Sequence, residues 1–354
     1  MTHPYKELDQ SAFWRTAVAE PGADGLSGLW SPKFQITPED SIATAGSCFA
    51  QHIGKALSAQ GYGWTDYEPA PPFLLNANAR EFGYGVFSFR TGNIYTPKML
   101  VQWVGQALGK TVLPDEIWEH NGRYFDPLRP AIEPNGFSSE QELLDARNVT
   151  LSAIRKAVTE ADLFVFTLGL TECWRNRETD LEYALCPGTV AGRFDPDKHA
   201  FLNTGYKATY ALLRKAIRMM RTANPDLRFL LTVSPVPLTA TATGRHVLPA
   251  TQFSKSILRA VAGQIADDLP FVDYFPSFEI ITHPIFQGRF FAENARSVKP
   301  EGVATVMRHF FEGQNSLDSV APARAKLAPR TETEIETGEN DVLCEEELLD
   351  AFSS

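Results

Sequence analysis

Apolar residues along this chain keep two rhythms. Near-continuous apolar runs occur in "SIATAG" (41–46), "DLFVFTLGL" (162–170), "LRFLLTVSPVP" (227–237) and the start of "PFVDYFPSFEII" (270–281). Short runs of this kind, bounded by turn residues, read as buried strands of a parallel sheet. Between them the spacing changes to three and four. Phe49, Ile53, Ala56 and Leu57 share one helical face. Further helices are expected at 97–109, where proline sits in the first turn, and over "SSEQELLDARNVTLSAIRKAVTEA" (138–161), which opens on capping residues. Helical spacing returns at 205–223, in "ATQFSKSILRAVAGQIADDL" (250–269) and in "KPEGVATVMRHFFEG" (299–313), with a shorter helix at 11–20. Strands alternating with helices predict an α/β fold on a parallel sheet.

The remaining stretches read as connections. "PGADGLSG" (21–28) is a loop by its glycines and proline, 61–97 is loop-rich, and "NGRYFDPLRPAIEPNGF" (121–137) holds short strand candidates. Residues 172–206 read as one long loop. The chain divides into a lead-in at 1–40, a domain at 41–315 and a polar tail at 316–354. Too few apolar residues mark that tail as disordered, with a small amphipathic helix in "LCEEELLDAF" (343–352).

Composition narrows the function classes. A net charge of -10 argues against a general nucleic-acid binder, which would present a basic face. No apolar run approaches the roughly 20 residues that cross a bilayer, and the first residues lack the apolar core of a signal peptide; no membrane partner is expected, and the protein reads as cytoplasmic. The four cysteines, Cys48, Cys173, Cys186 and Cys344, form no CxxC pair and no zinc spacing. They read as free thiols, with no metal and no cofactor.

In open parallel sheets ligands bind outside the carboxyl ends of the strands. Four unusual stretches fall there: Gly46-Ser47-Cys48-Phe49, the run from Gly169 and Thr171 through Glu172 to Trp174, Ser234-Pro235-Val236-Pro237, and the loop after Asp273-Tyr274-Phe275-Pro276-Ser277. Each could equally be a capped turn. "GSCFA" (46–50), "GNIYTP" (92–97), "FTLGLTECW" (166–174), "CPGT" (186–189), "LLTVSPVPLTATA" (230–242), "SKSILRA" (254–260) and "YFPSFEI" (274–280) together resemble the GSCFA domain family, in its proteobacterial form. That family is grouped with the SGNH, or GDSL-type, hydrolases.

The resemblance implies a three-layer α/β/α, flavodoxin-like (SGNH hydrolase-like) fold with long inserted loops. It also implies a nucleophile in the turn after the first strand, a glycine and an asparagine at the oxyanion hole, and a base from a late Asp-x-x-His. Laid on Gly-Asp-Ser-Phe, the motif puts Cys48 at the nucleophile; shifted by one, it puts Ser47 there. A helix N-terminus following such a turn offers N–H donors to a developing oxyanion. The chain departs from the pattern in having Gly169-Leu170-Thr171-Glu172 for Gly-x-Asn-Asp, and "FFAENARSVKPEG" (290–302) without Asp-x-x-His.

A base must then come from elsewhere. His246 is the first choice, followed by His52 and His283; the other histidines, His199 and His309 among them, read as solvent or helix-surface positions. Glu172 would support His246 or charge a helix start. Gly46, Asn93 or Thr171 would hold the oxyanion; Asn93 also reads as the φ > 0 residue of a turn, and Asn76 is a weaker donor. Trp174 stacks on a sugar or packs, Ser234 lines the crevice, and Arg296 binds an anion or forms a surface salt bridge. Ser254-Lys255 reads as a helix cap before a dyad. The function these readings give is an esterase or O-acyltransferase acting on acyl groups of a carbohydrate, with a glycan or other small molecule as substrate. The alternative is a non-catalytic protein that binds a glycan or nucleotide-sugar in the same crevice.

Overall fold

The computed structural model describes residues 3–74, 76–318 and 344–353. In chain order its strands are β1 (Ile42–Gly46), β2 (Trp118–His120), β3 (Arg123–Phe125), β4 (Leu163–Leu168), β5 (Glu172–Asn176), β6 (Glu182–Tyr183), β7 (His199–Asn203), β8 (Arg228–Val233) and β9 (Val272–Tyr274). Its α-helices are α1 (Gly22–Gly25), α2 (Ala50–Ala59), α3 (Asn76–Glu81), α4 (Pro97–Ala107), α5 (Glu140–Glu160), α6 (Tyr206–Ala223), α7 (Val247–Asp268), α8 (Ser277–Thr282) and α9 (Pro300–Asp318). Shorter 3-10 helices include Pro284–Phe286 and Glu345–Phe352.

The described residues form two compact units, one of residues 3–35 with 275–318, the other of 36–274 with 344–353. In the first, Trp30 stacks on Phe310 with ring centroids 5.2 Å apart, and Phe275 meets both rings edge-on. Gly313 admits this close packing, since a Cβ there would lie 2.8 Å from the Trp30 ring. Where a helix over 11–20 is expected, the backbone makes a short π-helical turn at Arg15–Ala19. His309 of α9 is buried, not at a surface, because its ring packs inward beside Arg308 and Glu312.

The second unit is built on a four-stranded parallel sheet in the order β1-β4-β8-β9. All five residues of β1 and all six of β4 are buried, which is why they read as apolar runs. Helix α2 packs on β1 and β4, and α7 on β8 and β9. The registers Gly46↔Thr167, Leu168↔Val233 and Leu231↔Tyr274 bring the strands' carboxyl ends to one edge. Helix α5 begins where its capping signal falls. Ser139 Oγ accepts the Glu142 N–H at 3.1 Å, and Glu142 Oε2 accepts the Ser138 N–H at 2.8 Å.

Residues 172–206 are not a plain loop: β5 pairs antiparallel with β6 and with β7 in a three-stranded sheet. Its strands are two to five residues long. They are held by cross-strand neighbours such as Trp174↔Phe201 and Trp174↔Tyr183. His199 is buried in β7 against Tyr183 and Phe194, so its expected surface position is corrected as well.

Candidate active site

The turn after β1 is shaped by a glycine. Gly46 has φ +129°, and a Cβ there would lie 2.3 Å from the Thr167 carbonyl oxygen of the neighbouring strand. The chain then closes down on β4, with the Ser47 N–H donating to Thr167 O at 2.9 Å. Helical bonding starts at once. The Ser47 carbonyl accepts the Ala50 N–H at 2.9 Å and the Cys48 carbonyl accepts the Gln51 N–H at 3.1 Å. Ser47 and Cys48 therefore sit at the entry to α2, both almost fully buried. Among the described residues Ser47 Oγ has no hydrogen-bond partner.

Two further segments meet this turn. The Ile94 N–H donates to Gly46 O at 2.8 Å, which fixes the 91–95 loop against the end of β1. The Tyr95 carbonyl accepts the N–H groups of both Gly169 and Leu170 at 3.0 Å, tying that loop to the end of β4. Gly169 is wedged there, since a Cβ would lie 3.0 Å from both Ser47 Cβ and the Tyr95 ring. Helix α7 holds the β4 end from the other direction. Lys255 Nζ donates to Gly169 O at 2.7 Å, and Ser254 Oγ accepts the Thr171 N–H at 3.1 Å. Ser254 and Lys255 are thus buried positioning groups.

Asn93 supplies the donors. Its backbone N–H and its Nδ2 both point at Glu345 Oε2, at 3.3 and 3.4 Å. The positive φ of this turn belongs to Gly92 (+65°), not to Asn93 as a turn reading expects. Burial pushes the Glu345 carboxyl up to about 7, opposed by the two Asn93 hydrogen bonds. The residue as a whole keeps partial exposure while its carboxylate is enclosed. Tyr95 beside it is held well above the usual phenol range, first by burial and then by the charges of Cys344, Glu345, Cys48 and Glu346. That phenol links the GSCFA turn to the C-terminal segment.

The other candidates take various places. Ser234 is buried at the end of β8, where its N–H donates to Leu168 O at 2.9 Å and its Oγ accepts the Val236 N–H at 3.3 Å. Thr171 Oγ1 donates to Asn203 Oδ1 at 2.7 Å. Glu172 accepts from Thr241 Oγ1 at 2.8 and 3.0 Å, and burial raises its carboxyl above the usual range. His246 is an exposed N-cap of α7, its Nδ1 accepting the Leu248 N–H at 3.1 Å. His52 is buried in the first turn of α2, its ring 5.5 Å from that of Phe49. His283 and Arg296 belong to the first unit; His283 Nδ1 accepts the Ile285 N–H and Asn294 Oδ1 accepts the Arg296 N–H. The side chain of Asn76 lies outside the described residues.

A cavity of about 440 Å³ adjoins this cluster through Tyr95 and Glu346. Its walls are mainly apolar: Trp174, Phe194 and Phe201 form an aromatic side, with Met99, Leu170 and Leu185 around them. At its edge Cys173 and Thr96 lean on the buried Glu182, whose carboxyl burial pushes up to about 7. Sequence reasoning missed Tyr95, Glu182 and Glu345. Tyr95 was within reach, since it stands in the same "GNIYTP" motif as Asn93. No group of three or more His, Cys, Asp or Glu side chains able to hold a metal occurs among the described residues. Nor is any described helix long and apolar enough to cross a membrane.

These features define an α/β protein whose parallel sheet delivers a buried Ser-Cys turn, an amide donor pair and an apolar cavity to one edge. The sequence model of the GSCFA family matches residues 41–310, and the chain belongs to that family. No curated protein sequence matches it.

Proposed function

We propose that this protein is an SGNH-like esterase or O-acyltransferase acting on acyl groups of a carbohydrate. One observation carries the reading: the Asn93 N–H and Nδ2 hold a carboxylate oxygen in the loop bonded to Gly46, beside the Ser47–Cys48 turn. Donors converging on one carboxyl oxygen next to a nucleophile are the arrangement that the oxygen of an acyl-transfer intermediate needs. In this reading Cys48 attacks the acyl carbonyl and the negative charge collects on the oxygen held by Asn93. The alkoxide leaves with a proton, and water or an acceptor hydroxyl then releases the acyl group from the thioester. We take His52 as the proton acceptor, because it is buried in the first turn of α2, four residues after Cys48, whereas His246 Nδ1 is engaged with Leu248.

The absence of Asp-x-x-His and the exposed cap position of His246 favour the second reading, a binding protein for a glycan or nucleotide-sugar. Hydrolysis of aryl esters separates the two. Cys48→Ala should abolish turnover and His52→Ala should lower it at least about a hundredfold, with His246→Ala retaining most activity. Iodoacetamide should label Cys48 in parallel with inactivation. A fluorophosphonate adduct on Ser47 with an active Cys48→Ala protein would exchange the two roles. No turnover in any folded form would leave the binding reading.

A further inference from the structure

The C-terminal 3-10 helix enters the site. Gly92 makes room for it, since a Cβ there would lie 2.4 Å from Glu345 Oε1, while Glu345 Oε2 rests on Asn93. One residue on, the Glu346 N–H donates to the Tyr95 hydroxyl at 3.2 Å, and Glu346 Oε1 accepts the Thr239 N–H at 3.1 Å. Glu346, Leu349 and Phe352 then border the cavity. The segment thus engages the 91–95 loop, the loop after β8 and the cavity wall together. An enclosed carboxylate is costly unless donors meet it, so its seating on Asn93 marks a place shaped for a carboxyl or acyl oxygen.

We propose that the segment 344–352 is an intramolecular ligand of this site, and that it reports the chemistry of the external one: an acyl or carboxylate oxygen on Asn93 joined to an apolar chain in the cavity. The identification of that ligand as an acyl substrate rests on the acyl-transfer reading; the occupancy itself does not. The cavity lies within the roughly 300–1,000 Å³ of small-ligand sites, and an acetyl group would leave most of its apolar wall uncovered. An external ligand must displace the tethered one, so its apparent affinity falls by the fraction of chains in which the segment is docked.

Hydrogen exchange of the full chain at pH 6 tests this, read at the amides of residues 344–353. Glu345→Ala should speed their exchange at least tenfold. Octanoate should do the same to the unaltered protein, and acetate should not. Unchanged exchange in Glu345→Ala would overturn the intramolecular ligand. An equal response to acetate and octanoate would overturn the apolar chain. If Glu345→Ala frees the segment and octanoate displaces it, yet neither Cys48 nor Ser47 supports ester turnover, this inference stands and the acyl-transfer reading falls.

Discussion

Gly46 and Gly61 both hold positive φ, +129° and +79°, but only Gly46 is hemmed in, by the backbone of Thr167. A side chain at Gly61 meets nothing within 4 Å. Gly61→Ala should therefore cost only the backbone term, about 1 kcal/mol. Gly46→Ala adds a clash with backbone that cannot yield without breaking the β1–β4 pairing. We expect at least about 3 kcal/mol, or no folded protein. Chemical denaturation of the two variants compares them, and equal losses would remove the steric argument. In the sequence, the glycine of "GSCFA" announces an unusual backbone, and its partner Thr167 sits in another apolar run. Which of Ser47 and Cys48 faces a ligand is not legible there. It depends on how the turn enters α2, a matter of packing against Gly169 and Tyr95 rather than of local pattern.

At the scale of elements, the loop that presents Asn93 is pinned by a buried charge network. Asp126 accepts from Arg147 at 2.7 and 3.0 Å and from Arg129 Nε at 3.1 Å. Arg129 Nη1 reaches back to the Arg90 carbonyl at 2.7 Å, three residues before Asn93. Burial alone would push the Asp126 carboxyl up, but Arg147 and Arg129 together hold it below the usual range. Replacing Asp126 by Ala strands two buried guanidinium groups, for which a loss of about 3–5 kcal/mol is expected. Arg123→Ala, at a half-buried hairpin position outside the network, should cost far less. Thermal and denaturant unfolding of both checks this, and comparable losses would show that the network contributes nothing of its own. Little of this network is legible in the sequence. The apolar runs of β1, β4 and β8 and the cap of α5 are local signals and can be read directly. Asp126, Arg129 and Arg147 look like ordinary polar residues until the fold brings the loop before α5 against the helix itself. The β5–β6–β7 sheet escapes for a related reason. Its pairing of Glu172 with Asn203 spans the whole stretch read as a loop, and its strands are too short to show alternation.

For the molecule as a whole, the telling contact joins the chain's last described residues to the 91–95 loop, which is itself bonded to the GSCFA turn through Gly46. A net charge of -10 and an acidic "CEEELLD" give no reason to expect a carboxylate to be buried; only the donors of Asn93 and the space above Gly92 do so. Docking should therefore respond to pH. The Glu345 carboxyl has an ordinary value of 4.5 and rises to about 7 when enclosed. The docked state binds the proton more tightly than the free state, so docking gains from protonation. That gain is fully present below about pH 4.5 and is lost as pH rises through about 7. Within this window docking should weaken by up to roughly tenfold per pH unit. The titratable groups gathered on the same phenol are Cys48 from the turn after β1, and Cys344, Glu345 and Glu346 from the segment itself, around Tyr95 from the 91–95 loop. Tyr95 is held above the usual phenol range and stays neutral throughout, so it adds no step. Limited proteolysis of the full chain at pH 5.5, 6.5, 7.5 and 8.5, corrected for protease activity, should show cleavage after residue 344 becoming faster up to about pH 7 and levelling off above it. Glu345→Gln, which keeps the shape without the titration, should flatten that dependence. A Glu345→Gln profile as steep as that of the unaltered protein would mean that another group controls the segment.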